Sequence, residues 1–129
     1  MMLAAFVSYI YDGNDFEAII ESAIITTLAG ASGVLIGGNS TKHFGTREGY
    51  LLVGLVWIVF SIFGMLPFRL SYYIPNIADA FFETMSGFTT TGATILTNIE
   101  ALPHGLLFWR SMLQWLGGMG IVVLSLAIL

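Results

Sequence analysis

The segment SGFTTTGATIL, Ser86 to Leu96, holds four threonines, two glycines and no charge, and it lies between two long apolar stretches. It is too short and too polar to cross a membrane, because a transmembrane helix needs about 20 mostly apolar residues. It also lacks the charges that are typical of a solvated loop. The path of the chain between the two apolar stretches therefore depends on what this segment does.

The composition indicates a membrane protein. Of the 129 residues, 57% are hydrophobic and only 9% are charged, and the mean hydropathy is +0.87, which is outside the usual range of soluble domains. A net charge of -4 with four Lys+Arg leaves no basic patch, so we expect no nucleic-acid partner. Without cysteine there is no thiolate metal site, and His43 and His104 stand apart from other ligand types, as ordinary loop or interface residues do.

Three stretches are predicted to span a bilayer. Gly49 to Phe68 is an uncharged run of twenty residues, which as a helix reaches roughly 30 Å, the thickness of the hydrocarbon core. Ser111 to Leu129 is similar, and its helix is expected to begin near 104, next to a proline that suits a first turn. Residues 16–38 form a third candidate, with two glutamates in the first turns, where the helix dipole tolerates them.

The first eleven residues are apolar but would cover only about 16 Å as a helix, half a bilayer. We interpret them as the end of a longer transmembrane helix, so that residues 1–38 form an N-terminal pair of helices with a truncated first member. The chain is accordingly expected to be a fragment of a larger protein.

Charges in the short loops predict the orientation. Residues 39–48 hold two of the four basic residues, which indicates a cytoplasmic loop. Residues 12–15 and 69–103 then lie on the outer side. Aromatic residues are expected in a belt at that outer interface, namely Tyr9, Tyr11, Tyr72, Tyr73 and Trp109.

A short helix is predicted at 76–88, between the two strongest spans. Asn76 suits an N-cap and Asp79 an acidic first turn. Its apolar positions fit one helical face, but about eleven residues give only roughly 16 Å. Such a helix can enter a membrane without leaving on the other side, so the chain has to return through residues 89–96.

The returning loop has the properties of a cation selectivity filter. Irregular backbone at membrane depth is tolerated only when it is buried in protein or lines a watery cavity. Threonine offers oxygens on a small side chain, and Gly92 permits backbone conformations that other residues disfavour. The negative end of the dipole of the short helix also points toward the loop, which favours a cation. A second interpretation stays open, in which a Thr/Gly-rich outer loop merely dips into the interface.

Two charges fall at similar depth on neighbouring helices. Glu83 and Arg110 each lie about 10 Å along their helices from the outer side, and charges at that depth are costly unless they are paired. We therefore predict a salt bridge between them, which would clamp the short helix to the last span. The alternative is that Arg110 reaches the surface while Glu83 faces the pore mouth.

The glycine-rich stretch WLGGMG, 115–120, falls in the middle of the last span. Glycines there permit a tight packing seam between helices. A bend that gates a pore is the alternative.

Two stretches carry a resemblance to a known family. FFETMSGFTTTGAT, 81–94, followed by LFWRSMLQWLGGMGIVVLSLAIL, 107–129, resembles the TrkH/TrkG/KtrB family of bacterial potassium transporters, most closely its TrkH members. The resemblance implies an all-α membrane protein of four membrane-pore-membrane repeats around one axis. Residues 49–68, 76–88 and 104–129 would be the first helix, the re-entrant pore helix and the second helix of repeat one.

The resemblance also implies the site. Gly92 matches the filter glycine of the family, and the residues beside it match those whose carbonyls contact K+, the transported ion. The K+ ligands would be the carbonyls of Thr90, Thr91 and Gly92, followed by Ala93 and Thr94. No covalent chemistry is expected.

The implied partners are the remaining repeats of the transporter, a second copy of it, a cytosolic nucleotide-binding ring of the TrkA type and the lipid of the bacterial inner membrane, which the chain would cross several times. One repeat supplies a quarter of a filter. Two alternatives remain: four copies could assemble as a homotetrameric channel, or the chain could be a non-conducting subunit that only packs against partner helices.

Overall fold

The computed structural model describes residues 1–37 and 46–128, and all its regular elements within those ranges are helices. Three stretches are long and apolar enough to cross a membrane: Phe16–Gly37, Leu51–Leu70 and His104–Val123. The predicted all-α membrane fold with three spans is thereby confirmed. The helices are α1 (Met2–Ile10), α2 (Phe16–Gly37), α3 (Thr46–Gly64), α4 (Leu66–Leu70), α5 (Ile77–Phe88) and α6 (His104–Ile128), with a short 3-10 turn at Ile99–Ala101 before α6.

The predicted cytoplasmic loop, 39–48, falls mostly outside the described residues. Its last three residues form the first turn of α3, which begins at Thr46. Its side of the membrane stays a prediction.

The stretch predicted as one span at 49–68 is divided at Met65, between α3 and α4. Pro67 stands in the first turn of α4 and has no amide hydrogen for the carbonyl four residues earlier. The carbonyl of Gly64 accepts a hydrogen bond from the indole nitrogen of Trp109 on α6, at 3.0 Å. Proline therefore breaks the helix, and a buried indole donor satisfies a carbonyl beside the break.

Trp109 differs from its prediction. It is only 6% exposed, because its indole is inserted between helices to reach that carbonyl, so it is not an aromatic residue of a surface belt. The four tyrosines of the predicted belt are exposed: Tyr9, Tyr11, Tyr72 and Tyr73.

The core lies where α6 passes between α1 and α5. Helix α6 packs extensively on both of them, while α2 packs on α1 and α4, and α3 packs on α5. The buried apolar residues that form this core are Ala4, Ala5, Ile19, Phe68, Ile74, Ala80, Phe88, Leu102, Leu106, Trp109 and Leu113.

The turn between α1 and α2 is tucked against the start of α6. Asp15, in the segment predicted on the outer side of the membrane, is 0% exposed and accepts a hydrogen bond of 2.5 Å from the hydroxyl of Ser8. Its other carboxylate oxygen has no hydrogen-bond partner among the described residues. That oxygen fills the space that a side chain at Gly105 would need. Nearby, the rings of Tyr11 and His104 stack with their centroids 4.4 Å apart.

Candidate functional site

The candidate site begins at the end of helix α5, whose own first turn is capped by the residue before it. The side-chain oxygen of Asn76 accepts a hydrogen bond from the amide of Ala78 at 3.0 Å, and Asp79 lies in the first turn. Both features stabilise a helix start. The helix runs for twelve residues and ends at Phe88.

The chain turns back along α5 directly after Phe88. Thr90 and Gly92 have positive φ angles, 56° and 73°, and no regular structure follows until Ile99. The amide of Thr90 donates to the carbonyl of Gly87 at 3.0 Å, and the amide of Thr91 donates to that of Ser86 at 3.0 Å. These bonds occupy carbonyls that the end of a helix leaves without partners, and they reverse the chain within four residues.

Gly92 is a position in this loop where the backbone favours glycine. Its φ of +73° is one that side chains disfavour. A Cβ atom there would also stand 3.4 Å from the side-chain nitrogen of Gln114 on α6. Thr90 holds a similar φ at a cost, since non-glycine residues with positive φ are uncommon and strained.

Glu83 joins the returning loop to both helices. Its side chain is buried, with the residue 2% exposed, and its Oε1 accepts from Nε of Arg110 at 2.7 Å. The hydroxyl of Thr94 lies 3.0 Å and 2.9 Å from the two carboxylate oxygens. The amide of Ile95 donates to Oε2 at 3.1 Å. The carboxylate thus receives one charged and two neutral donors.

The structure brings together Glu83 and Arg110, the two charges that the sequence paired. Sequence reasoning missed the other half of this cluster, because it considered Thr94 only for its carbonyl. A signal was present: a threonine next to a sharp turn often uses its hydroxyl locally. The hydroxyl of Thr94 also accepts from the amide of Leu96 at 3.1 Å.

The five predicted filter residues are exposed in this chain and lie on one stretch of loop. They are Thr90, Thr91, Gly92, Ala93 and Thr94. The loop is supported on the α5 side by the bonds to Ser86 and Glu83, which leaves its other side open.

Helix α6 packs against the end of α5 directly before the loop. A Cβ atom at Gly117 would overlap the carbonyl oxygen of Phe88 and lie 2.6 Å from its carbonyl carbon. A Cβ atom at Gly118 would find Thr90 at an ordinary 3.7 Å. The backbones of α5 and α6 therefore touch at Gly117, which is the packing seam that the glycine-rich stretch indicated.

Comparison with known proteins assigns the family. The sequence profile of the family described as "TrkH: Cation transport protein" matches residues 16–129. The Trk system potassium uptake protein TrkH of Escherichia coli strain K12 is 45% identical over 134 residues, covering 100% of this chain and 27% of the relative. The TrkH protein of Halomonas elongata is 43% identical over 124 residues, covering 95% of this chain and 26% of the relative.

A relative with a different name, TrkG, also matches the chain. The Trk system potassium uptake protein TrkG of Escherichia coli strain K12 is 38% identical over 102 residues, with 73% of this chain and 21% of the relative covered. No solved structure matches the chain. The chain spans about a quarter of the length of the curated relatives it matches. Its three long apolar helices make it a multi-pass membrane protein. In bacteria, a Trk transporter of this kind lies in the inner membrane. The chain belongs to the TrkH family of cation transport proteins.

Proposed function

We propose that this chain takes part in potassium uptake across the bacterial inner membrane and supplies one of four segments of a selectivity filter. The observation that carries the proposal is the loop that returns along α5, with its backbone held by Ser86 and Glu83. The relatives named as potassium uptake proteins support the choice of ion. No covalent step is part of the proposal.

Backbone carbonyls are the proposed ligands. In a trans peptide the N–H and the C=O point in opposite directions. Because the amides of Thr91 and Gly92 point at Ser86, the carbonyls of Thr90 and Thr91 point away from α5, to the open side of the loop. Carbonyl oxygens arranged in this way can replace the hydration shell of K+. Gly92 completes the proposed set.

The site is electrically balanced. Glu83 is the buried carboxylate beside the loop, and Arg110 pairs with it at 2.7 Å. The ion would therefore meet dipoles rather than a fixed charge, which suits a site that must release K+ as readily as it binds it. In this proposal the re-entrant α5 with residues 89–96, flanked by α3 and α4 before it and by α6 after it, is one membrane-pore-membrane repeat.

The proposed partners follow from the length of the relatives and from the resemblance. They are the other three repeats of a complete transporter, a second copy of that transporter, and a cytosolic nucleotide-binding ring of the TrkA type. The open side of the loop is the surface on which the other repeats would complete the filter.

Potassium uptake by cells that lack their own potassium transporters tests the proposal. Two proteins are compared: the 129-residue chain alone, and a chimaera in which the chain replaces the aligned quarter of the Escherichia coli relative. The test variant is Gly92→Ser, which puts a side chain at φ +73°. The control is Gly30→Ser, on α2, where a Cβ atom meets nothing within 4 Å.

We expect uptake by the chimaera, its loss with Gly92→Ser, and its persistence with Gly30→Ser. Uptake by the chain alone would instead indicate a homotetrameric channel. Equal uptake by the chimaera with and without Gly92→Ser would contradict the filter assignment. A chimaera that reaches the membrane and carries no K+ would contradict the proposal and favour a subunit that only packs against partners.

A further inference from the structure

Ser86, in the last turn of α5, contacts three successive residues of the loop. Its carbonyl accepts from the amide of Thr91 at 3.0 Å and more loosely from that of Gly92 at 3.4 Å. Its hydroxyl donates to the carbonyl of Ala93 at 2.6 Å, a short distance for a bond of this type. Ser86 itself is 6% exposed, so its own hydroxyl and carbonyl are largely shielded from water, although the loop residues that they bond are exposed.

The direction of the Ser86 hydroxyl is unusual for its position. A helical serine or threonine commonly returns its hydroxyl to the carbonyl four residues earlier. Thr84 does so on the same helix, bonding the carbonyl of Ala80 at 2.8 Å. Ser86 reaches forward across the turn instead, so its hydroxyl serves the loop and not the helix.

The bond from Ser86 turns the carbonyl of Ala93 in a different direction from other carbonyls of the loop. The carbonyls of Thr90 and Thr91 point away from α5, as argued above from their trans peptides. The amide of Ile95 points at Glu83, so the carbonyl of Thr94 also points away. Among the carbonyls of Thr90, Thr91, Ala93 and Thr94, only that of Ala93 is turned toward α5, where the hydroxyl of Ser86 holds it.

We propose that Ser86 is a positioning residue for ion selectivity, which holds the carbonyl of Ala93 against α5 and so fixes which carbonyls of the loop face the ion. This inference rests on the proposed function of the loop. A filter discriminates K+ from Na+ by the number and the spacing of its carbonyl ligands. If the Ala93 peptide were free, its carbonyl could rotate outward and the loop could close around the smaller ion.

The first test is transport by the chimaera described above, with three variants. Ser86→Ala removes the hydroxyl, Ser86→Thr keeps it, and Thr84→Val removes a buried hydroxyl from the same helix without touching the loop. The readouts are KM for K+, the maximal rate, competition by Na+ and the amount of protein in the membrane.

For Ser86→Ala we expect KM to rise, and the preference for K+ over Na+ to fall, by about threefold to tenfold, the usual worth of one hydrogen bond. The maximal rate per molecule in the membrane should change little. Ser86→Thr should restore the preference, and Thr84→Val should leave it unchanged. Equal effects of Ser86→Ala and Thr84→Val, or no effect of either, would overturn the inference.

The second test does not depend on transport. Ala93–Thr94 is the only Ala–Thr pair in the sequence, so labelling with carbonyl-13C alanine and 15N threonine reports one carbonyl by solid-state NMR of the 129-residue chain in lipid. The Ala93 resonance should move upfield with Ser86→Ala, as a carbonyl does when it loses a hydrogen bond, and stay in place with Thr84→Val.

An unmoved resonance would overturn the inference whatever the transport result. A resonance that moves while the wild-type chimaera carries no K+ would overturn the proposed function, and with it the role in selectivity, but would leave the bond between Ser86 and Ala93 in place. The two failures are therefore distinguishable.

Discussion

At the scale of single residues, the pair of Glu83 and Arg110 is expected to contribute strongly to stability. Removing one partner of a buried ion pair leaves the other uncompensated and costs about 3 to 5 kcal/mol. We expect Arg110→Gln to lower the thermal unfolding temperature in detergent strongly and to abolish uptake by the chimaera. The measurement is a melting curve of purified protein.

Two further variants sharpen that prediction. Arg69→Gln removes a partly buried cation from the last turn of α4 and should cost no more than about 1 kcal/mol, the usual worth of a cation at a helix C-terminus. The double variant Glu83→Gln/Arg110→Gln should lose less stability than the sum of its single variants, because no charge is left unpaired. Equal melting temperatures for Arg110→Gln and Arg69→Gln would contradict the clamp.

A second residue-scale prediction uses adjacent glycines on α6. Gly117→Ala should destabilise the protein by at least about 1 to 3 kcal/mol, because its methyl group overlaps the carbonyl of Phe88 and backbone cannot easily give way. Gly118→Ala is the matched control. Its methyl group has room and alanine favours helix by roughly 1 kcal/mol over glycine, so its melting temperature should be equal or higher. The reverse order would be inconsistent with the seam.

Single residues also show where sequence reasoning ends. The pairing of Glu83 with Arg110 could be predicted, since both depths follow from the helical rise and unpaired charges are penalised in a membrane. The bonds from Ser86 to Ala93 and from Thr94 to Glu83 could not, because they depend on the φ angles of Thr90 and Gly92, which decide where the loop runs. The burial of Asp15 depends on how the turn 12–15 meets α6, and no periodicity encodes that contact.

At the scale of elements, the start of α5 can be tested directly. Asn76→Ala removes the cap from the amide of Ala78 and should cost about 0.5 to 2 kcal/mol. Asn76→Asp should cost little, since aspartate caps equally well and its charge suits the helix dipole. The measurement is amide hydrogen exchange in the first turn of α5 together with the melting temperature. Similar exchange in both variants would show that packing alone holds this end.

Elements were the most predictable level of this chain. Hydropathy and length identified the long helices, and the cap at Asn76 identified the short one. The break at Met65 was not predicted, although Pro67 is visible in the sequence. An apolar run reads as continuous when only its hydropathy is considered, whereas the missing amide of a proline is felt by a carbonyl four residues away.

At the scale of the whole molecule, the α1–α2 turn is expected to dock on α6 through Asp15 and Gly105. Gly105→Ala should push this turn away, because its methyl group would overlap the carboxylate of Asp15. The chain has no cysteine, so spin labels at Tyr11→Cys and His104→Cys, whose rings stack in the native protein, report the separation by dipolar broadening of their EPR spectra.

We expect strong broadening in the double-labelled parent and weaker broadening with Gly105→Ala. Gly54→Ala serves as the control, since a Cβ atom there meets nothing within 4 Å. Singly labelled chains give the reference spectra. Unchanged broadening with Gly105→Ala would show that the turn is held by the apolar contacts of α1 with α6 and not by this fit.

The contact of Gly117 with Phe88 has a mechanical consequence for the complete molecule. Where two helices meet through side chains, small shifts of one helix can be absorbed by changes of side-chain rotamer. Here backbone meets backbone at Phe88, the last residue of α5 before the loop, so no side chain can absorb a shift. A tilt or slide of α6 at this point should therefore move the backbone of the loop, including Thr90 and Gly92, by a similar distance.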